Sequence, residues 1–97
     1  MVVWSFPARD DLKAIYDYIV KDSKNYAGKV IDDIVESSEQ LTEFPKIGRI
    51  VPEVEKEYIR ELFIYSYRLI YEIKNDDIYV LAVIHGARNF TKEMLRV

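Results

Sequence analysis

Arg68 sits in the run YSYRLIYEI, residues 65 to 73, a permanently charged guanidinium among aromatic and branched residues of the kind that build sheets. It has company in the second half of the chain. Arg49 follows the loop glycine Gly48, Arg60 lies on the preceding strand-like run, and His85 and Arg88 stand where the last such run passes into HGAR. Guanidinium groups grip phosphate or carboxylate in a fork, so four arginines and a histidine converging on one face would suit an RNA backbone or the acidic tail of a partner protein. The plainer alternative is that Arg68 pairs with a cross-strand carboxylate such as Glu61, or spreads its methylenes over Ile70, and that His85 donates to a backbone carbonyl at a strand end.

Composition narrows the chemistry further. The 97 residues contain no cysteine and a single histidine, which excludes disulfides, thiolate catalysis and cysteine metal sites and argues against a histidine-based one. No metal or other cofactor is called for. A formal charge of -3 opposes broad attraction to nucleic acid. The charge is uneven, with five Lys/Arg against nine Asp/Glu in residues 1 to 45 and nine against eight in residues 46 to 97. No run approaches the ~18 apolar residues of a membrane span, and the opening MVVWSFPARDD turns acidic too early for a secretory signal, so a cytoplasmic protein is expected.

The elements that must position these residues follow from periodicity. Residues 2 to 6 are β-formers ending at Pro7, which suits the first turn of a helix. From Ala8 to Lys21, apolar Ala8, Leu12, Ile15 and Ile19 recur at helical spacing, with Asp10 and Asp11 expected in the first turn. Asp22 or Ser23 can cap a second helix running to Glu43, whose stripe is Ala27, Val30, Ile31, Ile34 and Leu41, while Asp32, Asp33 and Glu36 lie largely off it. So short a turn makes the two an αα-hairpin. KIGRIVPEVEKE reads as a loop, and residues 58 to 64, 67 to 73 and 78 to 85 read as strands. The expected class is α+β: an N-terminal strand, the αα-hairpin, then a three-stranded antiparallel meander (β-α-α-β-β-β) in one domain over residues 1 to 97. Alternation puts Tyr67, Leu69, Tyr71 and Ile73 under the helices and Arg68, Ile70 and Glu72 on the opposite face, expected to be uncovered.

With these pieces in order, DLKAIYDYI, LTEFPKIGRIVPE, IRELFIYSYRLIYEI and IYVLAVIHGARNF together resemble the RelE/ParE toxin superfamily of type II toxin-antitoxin systems. The resemblance spans residues 2 to about 90 and rests on FPxxGR, RE, YRxxY and HGxR in this order and spacing. It implies a toxin of an operon pair, neutralised by a small antitoxin whose extended or helical C-terminal segment wraps it. The superfamily holds two activities. RelE-like members cut messenger RNA in the ribosomal A site without metal, by activating a ribose 2'-OH against the adjacent phosphate, which requires a base, an acid and cationic groups. On that branch Arg68 would stabilise the transition state, Glu53 or His85 would be base or acid, and Arg49, Arg60 and Arg88 would hold phosphates. ParE-like members share the fold and poison DNA gyrase by a protein contact. On that branch Asp32, Asp33 and Glu36 on the hairpin, with the segment after Arg88, would contact the target, and the arginines would be structural or would seat the antitoxin.

Three features favour the ParE-like branch. The chain is net acidic, whereas RelE-like nucleases are usually basic. The tail NFTKEMLRV offers Phe90 but no tyrosine hydroxyl, and the loop before the second strand-like run carries Glu53, Glu55 and Glu57 where such a nuclease would place lysines.

Overall fold

The computed structural model describes residues 1–86 and 91–95. The first strand, β1 (Val2–Trp4), passes through Ser5 into helix α1 (Phe6–Ile19). The Ser5 hydroxyl accepts from the Ala8 N–H at 3.2 Å, and Pro7 occupies the first turn, where no N–H is needed. This cap starts the helix ahead of its apolar stripe, so Asp10 and Asp11 fall beyond the first turn, contrary to expectation. Asp11 instead ties helix to sheet, its Oδ2 accepting from the Val83 N–H at 2.9 Å. Ser23, accepting from the Tyr26 N–H at 3.1 Å, caps α2 (Lys24–Glu39). That helix ends four residues short of Glu43 because the chain tightens into a 3-10 turn over Gln40–Thr42.

Downstream come β2 (Arg49–Ile50), β3 (Ile59–Ile64), β4 (Tyr67–Lys74) and β5 (Asp77–His85). The meander β3-β4-β5 is the centre of a larger sheet, ordered β1-β5-β4-β3-β2, in which β1 runs parallel to β5 and the other pairings are antiparallel. The two-residue β2 arises within the segment expected to be all loop. Strands β4 and β5 are both internal, which matches the near-continuous apolar run of β5.

Two clusters of apolar side chains sandwich the sheet. On one face Ile15 of α1 and Val30 and Ile34 of α2 pack with Leu41 on Leu69, Tyr71, Val80 and Val83. On the other, Val51 and Val54 of the segment after β2 pack on Ile59, Ile70 and Ile84, joined by Leu95. That second face was expected to be open. It is covered by a strap, residues 51–55, because Val51 and Val54 are buried there, each burial stabilising by about 1.5–3 kcal/mol.

One irregularity decides which residues share a face. The β4–β5 register runs Ile70↔Ala82 and then Tyr71↔Val80, so Leu81 is an inserted bulge residue. Before it, Ile78 and Val80 face the helices; after it, Val83 and His85 do. No helix among the described residues is long and apolar enough to cross a membrane.

Candidate functional site

Arg68 projects from β4 onto the strapped face, as alternation requires. Its Nε donates to Glu61 Oε1 at 2.6 Å, and its two terminal nitrogens donate to Glu53 Oε2 and Oε1 at 2.9 and 2.8 Å. Glu61 turns its other oxygen to Arg49, whose Nε donates at 2.6 Å. The result is an alternating chain, Glu53–Arg68–Glu61–Arg49, of balanced charge. Arg68 is 6% exposed and Glu61 1%. Arg49, at the solvent end, lays its guanidinium over the Phe63 ring, 4.9 Å from the centroid.

The register explains the assembly. Arg49 lies directly opposite Glu61, while Arg68 lies opposite Phe63, one diagonal step along β3 from Glu61. Glu53 arrives from the strap, held over Arg68 by buried Val51 and Val54 on either side. Hydrogen bonds from Arg68 hold the Glu53 carboxyl below the usual glutamate range. In return Glu53, aided by Glu61, makes Arg68 harder still to deprotonate. A guanidinium with this many carboxylate bonds clamps a strap to a sheet. To take a phosphate it would first have to release Glu53.

Arg60 and His85 lie on the opposite face of the sheet from this network. Arg60 lies opposite Tyr71, with its Nε donating to the Glu57 carbonyl and its Nη1 to the Gly48 carbonyl, both at 2.9 Å. It braces the loop before β2. Beside it the buried Tyr71 hydroxyl donates to the Pro45 carbonyl at 2.6 Å and accepts from the Gly48 N–H at 3.1 Å. His85 lies opposite Tyr67, edge-on to its ring at 5.7 Å between centroids, and the bulge at Leu81 puts it on the helix side of the sheet, away from Arg68. Thus Arg68 and Glu53 meet, whereas His85 does not share their face. Arg88 lies outside the described residues.

On α2, Asp32 and Glu36 are exposed. Asp33 is engaged: Lys29 donates to it at 3.1 Å, and Tyr65, in the β3–β4 turn, donates to the same oxygen. The Tyr65 bond, with Lys29, holds the Asp33 carboxyl below its usual range.

Sequence reasoning missed the groove that Tyr65 helps to form. Tyr18 of α1, Tyr26 of α2, Tyr65 and Tyr67 converge with His85 around a recess of ≈ 580 Å³ between the helices and one end of the sheet. The tyrosine content was visible, but only the β3–β4 turn and the helix hairpin bring these rings together.

Comparison with known proteins places this architecture. The family described as "ParE toxin of type II toxin-antitoxin system, parDE" matches residues 2–90. Among solved structures, the chain is similar to one from the chromosomal ParDE toxin-antitoxin system of P. aeruginosa, with 29% identity and a TM-score of 0.71 over 87% of this chain and 92% of that one. It shares its fold with a chain of the toxin-antitoxin complex RelBE2 from Mycobacterium tuberculosis, at 20% identity and a TM-score of 0.65 over 88% of this chain and 95% of that one. No curated protein matches.

Proposed function

The chain belongs to the ParE toxin family of type II toxin-antitoxin systems, and from that premise we propose that it arrests growth by poisoning DNA gyrase through a protein contact, until a cognate antitoxin neutralises it. The observation that carries this reading is the state of Arg68. RNA cleavage by 2'-OH attack needs a cation free to meet the developing phosphate charge, with an acid and a base around the same phosphate. Here the guanidinium is buried and bonded to Glu61 and Glu53, the latter is spent as its counter-ion, and the histidine lies across the sheet. Arg49, Arg60 and Arg68 are scaffold on this reading. The working surface is the acidic hairpin, where Asp32 and Glu36 are exposed.

The similarity to a chain of a ParDE system supports both the choice of branch and an antitoxin partner. The test is biochemical. Purified toxin is added to DNA gyrase with supercoiled plasmid and, separately, to ribosomes translating a defined message. Accumulation of gyrase-linked broken DNA with an intact message is the expected result. Cleavage of the message with gyrase unaffected would transfer the protein to the nuclease branch.

A further inference from the structure

The tyrosine groove has a chemistry of its own. Its floor is aliphatic, with Ile15, Val30 and Val83 beneath the opening. Its walls are phenol rings: Tyr26 stands edge-on to Tyr65 at 6.3 Å, and Tyr67 stands edge-on to His85 at 5.7 Å. Tyr18 is 70% exposed, Tyr26 49% and Tyr65 47%, an unusual outlay of aromatic surface around one recess. The rings are close enough to sense one another, since burial first and then the neighbouring Tyr18 and Tyr26 push the Tyr67 hydroxyl up.

The lining carries negative charge, and Lys29 beside the Tyr65 wall is already paired with Asp33. Among the described residues that line it there is a carboxylate, Asp11, and no lysine or arginine. The helical half that forms one wall is acidic, with nine Asp/Glu against five Lys/Arg in residues 1 to 45. Aromatic faces carry negative quadrupole potential and attract guanidinium and ammonium groups, most strongly where several rings surround the cation and water is partly displaced. An aliphatic floor below such rings suits the methylene stem of a long cationic side chain.

We propose that this groove is a receptor for an arginine side chain presented by a protein partner, its stem on Ile15, Val30 and Val83 and its guanidinium against the tyrosine rings within the field of Asp11. A planar guanidinium stacks on phenol faces and bonds their hydroxyls, which a compact ammonium does less well. The inference stands on the groove alone and does not depend on gyrase being the target.

The test uses the intact toxin and two small probes, N-acetyl-L-arginine methylamide and its uncharged isostere N-acetyl-L-citrulline methylamide, titrated while the tyrosine ring resonances are followed by NMR. The arginine probe is expected to shift the rings of Tyr18, Tyr26, Tyr65 and Tyr67 saturably, and to bind about tenfold more tightly than citrulline. The exposed position of Tyr18 lets Tyr18→Leu remove one wall without disturbing the fold, and this variant should weaken the arginine probe several-fold. Equal binding of the two probes, tighter binding of N-acetyl-norleucine methylamide, or shifts centred away from these rings would each overturn the proposal.

Discussion

At Arg68 the question is what its removal would leave behind. Glu61 is buried and, among the described residues, would keep Arg49 alone as its ion-pair partner, while Glu53 would lose its fork. Breaking a buried pair from one side typically costs about 3–5 kcal/mol, so Arg68→Ala is expected to lower the denaturation midpoint strongly. A midpoint within experimental error of the parent would show that the network does not hold the strap. Glu53 gives a pH signature with a defined sign. Its folded pKa is depressed, so its stabilisation is complete above the ordinary glutamate range and fades as the pH falls through the folded value. Denaturation from about pH 7 down to about pH 3 should therefore show a steeper loss in the parent than in Glu53→Gln, a difference centred at and below the usual glutamate pKa of about 4.3. The face of Arg68 and its partner Glu61 were legible in the sequence, because strand alternation fixes the one and cross-strand proximity suggests the other. The position of His85 was not. A single inserted residue, Leu81, reverses the parity of the last strand, and nothing in an unbroken apolar run marks where a bulge will fall.

Between elements, the loop before β2 shows how close the backbone comes to the sheet. A Cβ on Gly48 would lie 2.5 Å from the Glu61 carbonyl oxygen and 2.7 Å from the Tyr71 hydroxyl. Gly48→Ala must therefore push the loop off β3 or displace Tyr71. Tyr71→Phe keeps the ring but leaves the Gly48 N–H and Pro45 carbonyl without their buried partner, a loss of about 1–3 kcal/mol measurable by denaturant titration. An unchanged midpoint would mean that water replaces the hydroxyl at no cost. On α2, Asp32 and Glu36 carry exposed charge while Asp33 is tied to Lys29 and Tyr65. Reversing Asp32 and Glu36 to lysine should relieve growth inhibition with the melting temperature nearly unchanged, and full toxicity in that variant would remove the hairpin as the working surface. The helices and the three long strands were readable from apolar spacing. The strap was not, because VPEVE has too few residues to show a period, and its two valines become a core only when the sheet face beneath them exists.

Across the whole molecule, the two halves divide the labour. In the second half Arg49, Arg60 and Arg68 bond to carboxylates and backbone carbonyls, fixing the strap and the loop before β2 against the sheet. The first half carries the surplus negative charge on a helix hairpin whose exposed side is open to a partner. A net charge of -3, with Arg68 and Arg49 both paired to carboxylates, is poorly suited to ribosomal RNA, where binding is driven by unpaired positive charge. It is compatible with a protein target. The most direct measurement is to express the toxin from a tightly controlled promoter and follow DNA damage, messenger RNA integrity and protein synthesis in the first minutes. A DNA-damage response with filamentation, while translation continues and messages stay intact, is what a gyrase poison predicts. Immediate translation arrest with messages cut in the ribosomal A site would contradict it, and would require Glu53 to release Arg68 in the act of binding RNA.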